Sequence, residues 1–131
     1  MFQEKYGQLC SHIYESDHGI KAVAIILNQK QIVYKTSDSF PIPEEKDRLL
    51  HMMKQAYILI NEPSINEDYF GKVKYVMVHH ESYDMFLFRL DSDPLNILAI
   101  AATSEKYDHR ELVRRVSSEL VAKEDEIDVR N

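Results

Sequence analysis

The stretch Ile20-Lys21-Ala22-Val23-Ala24-Ile25-Ile26-Leu27-Asn28-Gln29-Lys30-Gln31-Ile32-Val33-Tyr34-Lys35-Thr36 decides the fold. Ile20 to Leu27 is rich in Val and Ile and nearly unbroken in apolar character. A strand with one wet face alternates apolar and polar residues, whereas a strand buried on both faces does not. The segment therefore reads as a central strand. Asn28-Gln29-Lys30 is a polar turn, and asparagine tolerates the positive φ that a tight hairpin requires. Gln31 to Thr36 is then the returning strand.

Upstream, Phe2, Tyr6, Leu9, Cys10 and Ile13 recur at helical spacing and predict an amphipathic helix from Phe2 to Glu15, stopped by Ser16-Asp17-His18-Gly19. Downstream, Ser37 to Pro43 is a loop, and Pro43-Glu44-Glu45 reads as the first turn of a second helix. Proline is preset for that position and acids suit the positive end of the helix dipole. Leu49, Met53, Ala56, Tyr57 and Ile60 form one stripe of this helix, widened by Leu50 and Met52. Asn61-Glu62-Pro63 ends it, and a loop through Asn66-Glu67-Asp68 follows.

Val73 to His79, Tyr83 to Leu90 and Asn96 to Ala102 read as three strands, parted by Glu81-Ser82 and by Asp91-Ser92-Asp93-Pro94. Asp108, with Glu111 three residues on, is placed to cap a last helix carrying Leu112, Val113, Val116, Leu120 and Val121. The order αββαβββα and the hairpin-length turns predict an α+β domain over residues 1–122 with a five-stranded antiparallel sheet. Helices 1 and 3 share one face, and helix 2 takes the other face or an edge. Residues 123–131 read as a charged, fraying tail.

Bulk properties narrow the function. The chain has 131 residues, 44% of them hydrophobic and 29% charged, which is ordinary globular usage for one domain. A net charge of −6 without a dense Lys/Arg cluster repels a phosphate backbone, so nucleic acid is not an expected partner. Cys10 is the only cysteine, so no internal disulfide forms, in keeping with a reducing compartment. Met1-Phe2-Gln3-Glu4-Lys5 is neither signal peptide nor anchor, and runs such as Val23 to Leu27 are too short to span a bilayer. A cytoplasmic protein without a membrane partner is expected.

No group of residues carries a catalytic signature. His79-His80-Glu81 is metal-like, but adjacent strand residues point to opposite faces and zinc wants three or four converging ligands. Cys10 lies on an apolar stripe with no base in view. Asp91-Ser92-Asp93 lacks the glycine and distal glutamate of a calcium loop. Glu44-Glu45 and Glu124-Asp125-Glu126 read as solvated acids. No cofactor is implied, and an enzyme is not expected. Tyr75, Tyr83 and Phe88, with Phe86 and Tyr34 nearby, serve either cross-strand packing, an interface or the wall of a ligand cavity. On helix 2, Met52-Met53 extends an apolar arc wider than one sheet contact needs, and methionine adapts readily to partner surfaces.

The element order resembles the roadblock/LC7 superfamily, whose profilin-like sheet is shared with longin domains. Ile20 to Asn28 looks like that family's first strand and turn, although Asn28-Gln29-Lys30 replaces its acidic-Gly pair, and Leu95 to Ala102 looks like its last strand. Pro43-Glu44-Glu45, Gly71 to Met77 and Tyr107-Asp108-His109 resemble a roadblock-like family of ammonia-oxidising archaea. The resemblance implies a non-enzymatic interaction scaffold, a homodimer, and a partner or regulator role toward a small GTPase. It places the dimer contact on helix 2, at Leu49, Met52, Met53 and Tyr57. The competing expectation is a PAS-like or profilin-like sensor whose sheet holds a small ligand against Tyr75, Tyr83 and Phe88, which calls for an enclosed apolar pocket of roughly 300 Å³ or more.

Overall fold

A computed structural model describes residues 2–103 and 107–130, with side chains omitted for 2–3 and 123–130. Three long helices, α1 (Phe2–Glu15), α2 (Lys46–Asn61) and α4 (His109–Arg130), surround a five-stranded sheet. Its strands are β1 (Ile20–Leu27), β2 (Gln31–Thr36), β3 (Val76–His79), β4 (Tyr83–Arg89) and β5 (Ile97–Thr103). The spatial order is β2-β1-β5-β4-β3, and every neighbouring pair is antiparallel. The fold class is α+β, as expected. The backbone of α4 continues as helix through the charged segment from Lys123 to Arg130.

Alternation along the strands sends residues to two cores. Val23, Ile25, Phe86, Phe88, Leu98 and Ile100 face α1 and α4, where they meet Leu9, Cys10, Ile13, Leu112 and Val116. Ile26, Leu87 and Ile97 face α2 and meet Met53, Ala56 and Ile60. β1 is thus buried on both sides, which is why its sequence does not alternate.

Three boundaries differ from the sequence expectation. Helix 2 begins at Lys46, not at Pro43. A residue before proline is pushed to extended backbone, so Pro41 and Pro43 keep Phe40 and Ile42 out of any helix. Glu45, at φ −74° and ψ 124°, is still extended as the N-cap. The segment expected as a loop around Asn66 to Asp68 is helical: a 3₁₀ turn (Glu62–Asn66) leads into the single turn α3 (Glu67–Phe70). Pro63 sits at its start, where a missing N–H costs nothing. Gly71, at φ 85°, ends it with a conformation that suits glycine. Strand β3 starts at Val76 rather than Val73. The Glu67 carboxylate accepts the Val73 N–H at 2.7 Å and an Arg89 Nη1–H at 3.1 Å, which draws the approach to β3 toward α3 instead of the ladder.

The β1–β2 turn is built without glycine. Asn28 and Gln29 have φ of 56° and 59°, and the Lys30 N–H donates to the Leu27 carbonyl at 3.1 Å, as in a type I′ turn. A left-handed backbone costs a non-glycine residue about 1–2 kcal/mol. Gln29→Gly is therefore expected to stabilise the protein by roughly 1 kcal/mol in urea unfolding. On α2, Ile60 is fully buried and Ile58 is 57% exposed. Ile60→Ala is expected to cost about 2–5 kcal/mol, and Ile58→Ala less than about 0.5 kcal/mol.

Candidate interaction surface

The residues singled out on helix 2 do not share one surface. Met53 is buried against the sheet, and Leu49 and Tyr57 pack half-buried at the margin of the same core. Of the four, Met52 is the one that faces outward, at 40% exposure. Leu59, one heptad further, lies on the same stripe and is also exposed. Beside it stand Ile58 and, beyond the end of the helix, Ile65, Tyr69 and Phe70, the last three exposed by 79%, 81% and 86%. Large apolar groups this bare at several neighbouring chain positions mark a contact surface more often than scattered single residues do. Sequence reading missed the last three because it took their segment for an irregular loop.

This apolar segment leads into β3, the outermost strand on its side of the sheet. Among the described residues no strand pairs with the outer edge of β3. Tyr75, just before this strand, and Met77 on it are partly exposed. The opposite edge, β2, is flanked by Gln31 and Lys35, the kind of polar and charged residues that discourage strand addition.

The aromatic set expected to line a pocket is split by the sheet. Tyr83 and Phe88 lie an odd number of residues apart on β4 and so face opposite sides. Phe88 is buried beneath α1 and α4, with the Tyr75 ring 5.8 Å from its own. Tyr83 meets Phe40 edge-on at 5.0 Å on the other face. The three therefore do not line one cavity.

The histidine pair is also divided, and one member joins a polar cluster. Asp84, a buried carboxylate at the start of apolar β4, lies directly across from His79. Its two oxygens accept from His79 Nδ1 and from the Tyr107 hydroxyl. Burial pushes the Asp84 carboxyl up, but the hydrogen bonds from His79 and Tyr107 and the charge of His79 outweigh it and hold it below its ordinary value. The same contact, with burial first, raises the Tyr107 phenol. Gly19 packs beneath Tyr107: a Cβ there would lie 3.0 Å from Tyr107 Cβ. The cluster ties the β3–β4 hairpin to the start of α4, whose first N–H groups at Arg110 and Glu111 are capped by Asp108. Glu111 does not complete a capping box; its carboxylate turns to Arg114 and Arg115, and the Arg114 bond is the main reason its pKa falls to about 2.

Cys10 is buried in the α1 core, and desolvation pushes its thiol up to about 11, the opposite of an activated nucleophile. Asp91 and Asp93 fold their carboxylates back on the N–H groups of Asp93 and Leu95, forming an Asx-type turn. The Glu124-Asp125-Glu126 side chains lie outside the described residues. Among the described residues no three His, Cys, Asp or Glu side chains converge as a metal set, and no helix is long and apolar enough to cross a membrane.

Because the folded carboxyl of Asp84 lies below the ordinary aspartate value of 3.8, its stabilisation is fully present above that value. It is lost as the pH falls through the folded pKa. Asp84→Asn is expected to lower stability by about 1–3 kcal/mol at pH 7, with the gap to the wild type closing below pH 3.8 in denaturant unfolding across pH.

No protein-family model matches the chain, and no curated protein does either. Solved structures do. The roadblock/LC7 domain from Streptomyces avermitilis superposes with a TM-score of 0.68 at 17% identity, over 92% of this chain and 96% of that one. MglB from Myxococcus xanthus superposes with a TM-score of 0.65 at 11% identity, over 95% and 90%. The gliding protein MglB from Thermus thermophilus gives 0.63 at 10%, over 90% and 87%. Over nine-tenths of its length, the chain has the roadblock/LC7 fold.

Proposed function

We propose that this protein is a non-enzymatic interaction scaffold that pairs with a second copy of itself through the outer face of α2 and the open edge of β3. The observation that carries the reading is the run of exposed apolar groups (Met52, Leu59, Ile65, Tyr69 and Phe70) leading into a bare sheet edge. Strand addition at β3 would satisfy its backbone groups, while the α2 side chains supply apolar area. The roadblock/LC7 likeness supports the same geometry, and a solved MglB structure of this fold has a tetrameric arrangement. The dimer would serve as a platform for a regulatory partner, for which the fold points to a small GTPase. Kinship with the roadblock-like family of ammonia-oxidising archaea is supported by the segments at 43–45, 71–77 and 107–109.

Light scattering coupled to size exclusion tests the pairing. A mass near twice 15.4 kDa is expected for the wild type. The double variant Met52→Glu/Leu59→Glu, which touches exposed positions, is expected to run as a monomer with an unchanged melting temperature. Met53→Glu would confuse the result, because its side chain lies in the core. A monomeric wild type at micromolar concentration sinks the reading. For the partner, recovery of a GTP-binding protein from lysate that depends on GTP over GDP supports the platform role, and recovery indifferent to nucleotide counts against it.

A further inference from the structure

On the α2 face of the sheet, two neighbouring rungs are built from alanine alone. Ala22 lies opposite Ala101, and Ala24 opposite Ala99. The next rung pairs Ile26 with Ile97. Met53, Ala56 and Ile60 of α2 belong to the cluster formed on that large rung, so its height sets how closely the helix approaches. Ala99 still packs at the margin of that cluster, but toward Ala22 and Ala24 a gap opens beneath the helix. The result is a half-open apolar pocket of about 130 Å³, flanked by Met85 and the exposed Tyr34 and bordered on the outer side by the segment Phe40 to Pro43. Ala24 and Ala99 register the gap directly: both sit in interior strands yet remain partly exposed.

The lining is apolar but for Thr36 and the Tyr34 hydroxyl. An ordered water needs two to four polar partners, and this lining offers few. Burying an unpaired polar or charged group here carries a penalty of several kcal/mol. A cavity of about 150 Å³ in another protein takes benzene or xenon. The walls can adjust, since Met52, Met53 and Met85 all reach the cavity and methionine is unbranched and flexible. Two prolines, Pro41 and Pro43, stiffen the outer segment and keep it from collapsing onto the sheet.

We infer that this cavity is a binding site for a small neutral hydrocarbon group: one six-membered ring, or an alkyl segment of about six carbons. The site lies within a single chain, and its rim residue Met52 is shared with the proposed self-association surface. It differs from the sensor pocket expected at Tyr75, Tyr83 and Phe88, both in its residues and in being too small for a drug-sized molecule.

The methionines provide the test. In protein labelled at the Met methyl groups, Met53 and Met85 line the cavity, while Met77 is exposed on the opposite face of β3 and serves as an internal control. Titration with toluene, and separately with n-hexane, is followed by methyl NMR. Saturable shifts at Met53 and Met85 are expected, with Met77 unmoved and a dissociation constant on the order of 1 mM. Saturation by toluene alone identifies a ring site, and by hexane alone an alkyl site. Ala99→Leu fills the cavity and is expected to weaken binding at least tenfold; Ala24→Val is the second variant should the first fail to fold. Linear, unsaturable shifts in the wild type, or equal movement of Met77, overturn the site. So does tight binding that survives either folded filling variant.

Discussion

The pairing of β1 with β5 is the constraint on which the rest of the molecule depends. The two strands are far apart in sequence and adjacent in the middle of the sheet, with Val23 opposite Ile100 and Ile25 opposite Leu98 on one face. Both strands are apolar on both faces, so neither side of the sheet can be left to water. That requirement fixes the layers. α1 and α4 must close one face, and the crossover between β2 and β3 must carry a helix that closes the other. Burying a side chain the size of Ile or Leu contributes roughly 1.5–3 kcal/mol, and the central rungs hold most of the fully buried ones. Polar links between layers are secondary. The Arg115 contacts to Asp17 and Glu111 lie at the surface, where water and salt screen them, so they add little to stability.

How much of this was legible in the sequence follows from which physical signals are local. Periodicity is local, so the five strands, the three long helices and the faces they cover were readable from apolar spacing. The start of α2 was misread because Pro43 fits a first helical turn in isolation. In the fold the chain stays extended through Glu45, which becomes the N-cap, so the helix opens three residues later. The shortening of β3 was not readable, because it comes from Glu67 capturing the Val73 N–H across a turn. The split of Tyr83 from Phe88 was readable: an odd separation on one strand puts two side chains on opposite faces. Asp84 carried a usable signal too. It shares the parity of Phe86 and Phe88, so its position among core residues demanded hydrogen-bond partners. Which partners it finds, His79 and Tyr107, depends on hairpin register and on where α4 starts.

The candidate surface was harder to read for a related reason. A stripe on a helix shows which residues are apolar, and core and interface demand the same chemistry. Leu49, Met53 and Tyr57 were indistinguishable from Met52 until the helix was seated on the sheet. The most exposed apolar groups, Tyr69 and Phe70, sit on a single helical turn whose first residue, Glu67, is paired with Arg89. Arg89 is on β4, so the presentation of these aromatics is coupled to the sheet they adjoin.

Seating α2 on the Ile26–Ile97 rung has two consequences at once. It turns Met53, Ala56 and Ile60 inward, and helical geometry then places Met52 and Leu59 on one flank of the helix, exposed but beside the contact. It also leaves space over Ala24, because a helix resting on large side chains packs less closely on the small ones beside them. A flush fit would need bulkier residues at Ala24 and Ala99, or a helix bent toward the sheet without a proline or glycine inside it to bend it. The outward apolar stripe and the empty space beneath are thus two results of a single contact, the height at which one helix meets one pair of isoleucines.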